Sequence, residues 1–250
     1  MKGKNMYDKY VKRILGLSGR YSVWDIWHDF INMFANSIAN AFDKERAPGR
    51  EEEYLQIRKK YSIKEWEAFI DLSCTLIDDL ERNPDRDVLG EVYMSLRINC
   101  KEKGQYFTPY YLSKAMAKMI LQGDKGGPLI INEPACGSGS NLIAAANALK
   151  EDGFNYQQNA YFVAQDIDAI VAKMCYIQMS LLGMPGVVII GNSLLGMTQE
   201  MDYWYTPFHY PFGEYTLMRY RKKYREEEQP KEEKVISFKE DWMLKLVGLV

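Results

Sequence analysis

The stretch from residue 128 to residue 190 does most to limit what this chain can fold into. Short apolar runs alternate there with longer segments of helical spacing: "PLIIN", "SNLIAAANALK", "AYFVAQ", "DAIVAKMCYIQMSLLG" and "GVVII". The short runs suit buried strands, and the segments between them are long enough to lie as helices on a sheet. Strand and helix alternating at this pitch build parallel β-α-β units with right-handed crossovers, which makes the fold α/β. No internal repeat interrupts the pattern.

The first hundred residues read instead as a helical N-terminal domain, residues 1–100. Ser22 followed by Asp25 has the spacing of a capping box, and "SVWDIWHDFINMFANSIANAF" then carries apolar residues on one helical face. Ser62 and Glu65 repeat that signal before "IKEWEAFIDLSCTLIDDL". The charged "DKERAPGREEEY" between them reads as a solvated link, and "DVLGEVYMSLRI" as a third helix. His28, Trp24 and Trp27 fit a helical core or its edge. Thr108 is placed as an N-cap, with Pro109 at the first turn of another amphipathic helix. Residues 101–200 therefore form the α/β core. Residues 201–250 are a divergent segment, first rich in aromatics and then switching from basic to acidic in "RYRKKYREEEQPKEEK".

Charge and cysteine usage exclude several classes. A formal net charge of −2 supplies no global attraction to nucleic acid, so any DNA contact needs a local basic surface. "MRYRKKYR" (Met218–Arg225) could contact phosphates through its arginines and lysines, but it reads rather as a solvated helix neutralised by the following acids. Cys74, Cys100, Cys136 and Cys175 are scattered, and His28 and His209 lie far apart, which points to no metal site and to a reducing cytoplasmic compartment. No run has the length and apolarity of a membrane span.

The residues that carry chemistry sit at the strand ends, where parallel sheets bind ligands. "INEPACGSG" places Glu133 after a strand and opens a helix with Gly137 and Gly139, which let a ligand approach the backbone closely. The nicotinamide fingerprint G-x-G-x-x-G is broken, because Leu142 stands at the third glycine, and no G-K-[ST] phosphate loop follows. The next strand ends in "AQDID", where Asp166 is placed to accept from both hydroxyls of a ribose and Asp168 to cap the following helix. The third ends in "GNSLL", where Asn192 offers a donor and an acceptor to a purine edge. The plain alternative is three ordinary polar turn residues. Cys136 reads as a small filler within the turn, since nothing near it in sequence would lower its pKa.

"GQYFTP" (Gly104–Pro109), "EPACGSG" (Glu133–Gly139), "QDID" (Gln165–Asp168) and "GNSL" (Gly191–Leu194) occur in that order, and together they resemble the adenine-N6 DNA methyltransferases, especially the modification subunits of type I restriction systems. The likeness runs from about Asp87 to Leu195. It implies a Rossmann-like methyltransferase fold, a mostly parallel sheet with helices on both faces, and S-adenosylmethionine as cofactor. By the same resemblance Gln105, Tyr106, Phe107, Thr108 and Pro109, with Gly137, Ser138 and Gly139 of the turn, hold the methionine end, and Ala135 and Ile167 also belong to the cofactor-binding set. Glu133 lies near the cofactor's ammonium, Asp166 takes the ribose hydroxyls, and Asn192, where the family often has Asp, faces the adenine. DNA and a specificity subunit or a second copy are the partners it implies.

The family's Asn-Pro-Pro-Phe/Tyr turn, whose oxygens accept from the adenine amino group while the aromatic stacks on the flipped base, is not found. The nearest imitation is "YTPF", with Thr206 and Phe208, although no apolar strand leads into it; as a catalytic turn it competes with a purely structural aromatic turn. A second candidate is a late strand "VISF" (Val235–Phe238) beside "LIIN", followed by Asp241 and Trp242. The chain therefore reads as an adenine-N6 DNA methyltransferase. The alternatives are a catalytically silent relative with a DNA-binding, regulatory or anti-restriction role, and an enzyme acting on RNA or protein.

Overall fold

The computed structural model describes residues 7–96, 107–123, 125–195 and 201–227. Helices α1 (Asp8–Leu17), α2 (Val23–Phe42), α3 (Ala47–Arg58), α4 (Ile63–Arg82) and α5 (Val88–Ser95) come first. Helix α6 (Tyr110–Ile120) leads into β1 (Leu129–Glu133), α7 (Ser140–Glu151), the single turn α8 (Tyr156–Asn159), β2 (Ala160–Asp166), α9 (Ala169–Leu181) and β3 (Gly186–Ile190). Strand β4 (Asp202–Tyr205), a π turn at His209–Gly213 and α10 (Glu214–Glu227) complete the described chain.

The described sheet has the order β1-β2-β3-β4. β1, β2 and β3 pair in parallel, with Ile131 opposite Phe162 and Ala164 opposite Val188, as the alternating pattern requires. β4 joins β3 antiparallel, Trp204 facing Val188. Successive residues of β2 point to opposite faces. Ala160, Phe162 and Ala164 enter one apolar core, which extends through α7 and α9 to α1–α5, from Tyr10 to Trp204. Tyr161 and Val163 enter a second one, closed by Leu217 of α10. Helices thus cover both faces. β2 is buried along nearly its whole length, whereas β1 is only half-buried.

Both capping boxes form. Ser22 accepts from Asp25 N–H while the Asp25 carboxylate accepts from Ser22 N–H, and Ser62 and Glu65 do the same. Three expectations are corrected. The charged "DKERAPGREEEY" is not a solvated link but contains α3, with Pro48 in its first turn. Its Arg50 is buried, donating to Asp43 at 2.8 Å and to the Tyr203 carbonyl at 3.2 Å, with its guanidinium 4.1 Å from the Trp204 ring centre. Lys173 of α9 stands 4.8 Å from the same ring, so two cations pin β4 to the helical layer. The second correction is at α6. Pro109 rather than Thr108 occupies the N-cap, and no side chain caps it; the Thr108 carbonyl accepts from the Ser140 hydroxyl instead. The third is that a strand, β4, does lead into "YTPF".

Among the described residues no helix is long and apolar enough to cross a membrane. No group of His, Cys, Asp and Glu is arranged to hold a metal ion there.

Candidate functional site

The turn from Glu133 to Ser140 joins β1 to α7 and is bonded to the ends of the first two strands. Cys136 N–H donates to the Gln165 carbonyl at 2.8 Å, and Gly137 N–H donates to the Asp166 carboxylate at 2.9 Å. Gly137 has φ +52° and Gly139 φ +99°, the left-handed region in which other residues are strained. A Cβ on Gly139 would stand 2.9 Å from Cys175 Sγ, so only glycine lets the turn rest on α9 at this distance. A Cβ on Gly137 would fall 3.4 Å from the Phe107 ring, across the mouth of the turn.

These elements line an open cleft. It brings together Phe107, Thr108, Ala135, Gly137, Ser138 and Asp166, all expected from the sequence. Cys136, Ser140, Asn141 and Val171 join them. Ser140 and Asn141 follow the second glycine directly and form the first turn of α7, so their place behind a glycine turn was a usable signal. Val171, one turn into α9, had none. The Phe107 ring is backed by Tyr93 of α5, 5.5 Å between ring centres, so the helical layer supports one wall.

The two acids differ in their work. Both oxygens of Asp166 accept backbone N–H groups, from Gly137 and from Asp168, each at 2.9 Å. Each oxygen keeps a second lone pair, so the carboxylate can still accept from ligand hydroxyls on the cleft side. Glu133 closes the turn instead, accepting from Ala135 N–H at 3.3 Å and from the Asn141 amide at 2.9 Å. It does not line the cleft, and neither do Gly139, Ile167 or Asn192. Ile167 is 71% exposed beside Asp166. Asn192 accepts from Leu194 N–H at 3.0 Å. Asp168 caps α9, accepting from Ile170 and Val171 N–H. Pro109 is exposed at the start of α6. The neighbouring Cys175 thiol and burial push the Cys136 thiol well up, which keeps it protonated and suits a filler rather than a nucleophile.

The catalytic imitation "YTPF" is displaced. Thr206 N–H donates to the Gly186 carbonyl, at the start of β3, whereas the cleft lies beyond the strand ends. β3 is five residues long, so at about 3.3 Å per residue the two sites stand on the order of 15 Å apart. The Thr206 hydroxyl is fully buried, donating to the Met184 carbonyl at 2.7 Å and accepting from Gly186 N–H at 3.0 Å. Phe208 packs near Gly183, with its ring 5.6 Å from that of Phe212. Thr206 and Phe208 form a structural turn. Gln105, Tyr106, Val235–Phe238, Asp241 and Trp242 lie outside the described residues.

Below the turn lies a network the strand-end motifs do not announce. Asp87, the N-cap of α5, is buried and accepts from Gly90 N–H at 2.9 Å, from the Gln178 amide at 2.8 Å and from the Ser138 hydroxyl. Burial pushes its carboxyl up, opposed by those same hydrogen bonds.

A glycine turn at the end of a first parallel strand, an acid at the end of the second and a cleft between them define an α/β protein with a candidate ligand site beyond its strand ends. The N-6 DNA Methylase family pattern matches residues 84–242, and the chain belongs to that family. It is also 26% identical over 113 residues to the methylase subunit of the MjaIX type I restriction enzyme of Methanocaldococcus jannaschii, a match covering 43% of this chain and 19% of that subunit. The chain thus spans about a fifth of the length of this curated relative.

Proposed function

We propose that the cleft binds S-adenosylmethionine and that the chain takes part in methylating adenine N6 in DNA within a restriction-modification system. One observation carries the reading. In a member of the N-6 DNA Methylase family, the Gly137 N–H is bonded to Asp166 at the mouth of a cleft whose floor is a left-handed glycine turn. The glycine turn and Phe107 face each other across the cleft, and a Cβ on Gly137 would stand between them, 3.4 Å from the ring. The residues present therefore fit such a cofactor. Phe107, Thr108 and the turn backbone would hold its methionine end, and Asp166 its ribose. When bound, the cofactor supplies an activated methyl group. The chain's own part is to orient that group.

The placement of Thr206 and Phe208 at the other end of the sheet favours a second reading, in which the fold binds cofactor without transferring the methyl group. Asp241 and Trp242 keep their candidacy as the acceptor and stacking pair, and the family match extends to Trp242. Calorimetric titration with S-adenosylmethionine tests the cofactor. Tritiated methyl transfer to unmethylated DNA, with digestion to nucleosides, tests the reaction. Label in N6-methyladenine supports methylation; saturable binding with no label supports the silent reading; no heat at millimolar ligand rejects both.

A further inference from the structure

The helical layer reaches the cofactor turn through one buried carboxylate. Asp87 is 3% exposed, and three chain segments converge on it. Gly90 N–H comes from α5, the Gln178 amide from α9 and the Ser138 hydroxyl from the turn itself. Gln178 is fully buried and makes two further bonds: its amide N–H also donates to the Ser138 carbonyl at 2.8 Å, and its oxygen accepts from Leu89 N–H at 3.1 Å. Ser138 is consequently held by both its side chain and its carbonyl, between the two left-handed glycines Gly137 and Gly139. Its hydroxyl is turned down to Asp87, away from the open cleft that the same residue lines. Gly90 permits this approach, because a Cβ there would come within 2.2 Å of Asp87 Oδ2 and 2.5 Å of Ser138 Oγ.

The Gly90 N–H, the Ser138 hydroxyl and the Gln178 amide that donate to the Asp87 carboxylate are all uncharged. A buried carboxylate satisfied in this way is expensive to keep unless its oxygens are needed where they stand. We infer that Asp87 is a positioning residue, holding Ser138 so that the glycine turn keeps its ligand-ready shape, and that the helical layer is in this way part of the cofactor site. The ligand half of this inference rests on the S-adenosylmethionine reading above. The turn-ordering half does not.

The test uses the full chain and four variants. Asp87→Asn preserves the hydrogen bonds in kind: its amide oxygen can accept from Gly90 and Gln178, and its NH2 can donate to Ser138 Oγ. Asp87→Ala removes them, and Ser138→Ala removes only the hydroxyl. Asp79→Ala is the control, since that carboxylate also sits in the helical layer but bonds Lys9, Tyr10 and Arg86. Amide hydrogen exchange of residues 135–140 without ligand, S-adenosylmethionine titration and thermal melting are measured on each. We expect Asp87→Ala to speed exchange in the turn and weaken binding by about ten- to a hundredfold, the range of a lost buried hydrogen-bond network. Asp87→Asn should restore both to within about threefold of the parent. Asp79→Ala should lower the melting temperature and leave turn exchange and affinity unchanged. Turn exchange in Asp87→Ala equal to the parent's overturns the inference, as does a loss in Asp87→Asn equal to that in Asp87→Ala. If Asp87→Ala does not fold, unchanged turn exchange in Ser138→Ala overturns it instead. An unmodified chain that does not bind S-adenosylmethionine defeats the cofactor reading alone, while the exchange comparison still decides the role of Asp87.

Discussion

Replacing Gly139 by alanine should strike the fold harder than replacing Gly137, although the two residues lie two apart in one turn. Gly139 adopts φ +99°, and forcing an L-residue into the left-handed region costs about 1–2 kcal/mol. The new methyl would also press on Cys175, 2.9 Å from Sγ and 3.5 Å from Cα, in the fully buried middle of α9. Overpacking of that kind costs about 1–3 kcal/mol. Together these give a loss of about 2–5 kcal/mol. At roughly 2–4 °C per kcal/mol for a chain of this size, the melting temperature should fall by about 4–20 °C. Gly137 has φ +52°, near the centre of the left-handed well, and its methyl would meet the Phe107 ring at 3.4 Å, an ordinary contact. Gly137→Ala should therefore cost only about 1 kcal/mol. That methyl lies between two walls of the cleft, however, so ligand affinity should fall further than stability. Scanning calorimetry with a reversibility check, paired with S-adenosylmethionine titration, measures both. A Gly137→Ala variant less stable than Gly139→Ala, or a Gly139→Ala variant melting within about 2 °C of the parent, would refute this account of the turn.

Three other outcomes follow from the packing. Arg50→Met keeps the stem over Trp204 but leaves Asp43 with Arg46 alone, and should cost about 3 kcal/mol in a urea titration at pH 7. Against the burial that raises it, Arg50 and Arg46 hold the Asp43 carboxyl below its ordinary range. The stability this lends is present above the unfolded carboxylate value of about 3.9 and is lost as pH falls through the depressed value. The parent's urea midpoint should accordingly drop more steeply below about pH 4 than that of Arg50→Met. Asp87 works with the opposite sign. Its raised folded value means that stability is lost as pH rises above about 4. Asp87→Asn should therefore melt at or above the parent at pH 7, with the gap closing toward pH 4. Thr206→Val removes the bonds to Met184 and Gly186 and should cost about 1–3 kcal/mol by thermal melting. S-adenosylmethionine affinity should be unchanged; a tenfold loss would place Thr206 at the site after all.

What the sequence determined by itself is what neighbouring residues decide among themselves. The capping boxes at Ser22–Asp25 and Ser62–Glu65 close over three residues, and they form as read. The glycine turn likewise carries its own conformational requirement, two positive φ angles between a strand and a helix. The alternation of apolar runs with helical segments sets three strands side by side in parallel, because each helix crosses back over the sheet between them.

Tertiary structure decided the rest, wherever the partners are remote in the chain. Arg50 looks like one charge in a polar run until Asp43, Trp204 and the Tyr203 carbonyl, 153 residues on, surround it. The aromatic "YTPF" resembles a catalytic turn locally, but the antiparallel pairing of β4 with β3 carries it to the opposite end of the sheet. Asp87 meets Ser138 across 51 residues and Gln178 across 91. No local spacing announces that contact, since loop closure over such distances repays its entropy only through the packing of the whole fold. The turn's residues were written in one short stretch; what holds them in place was not.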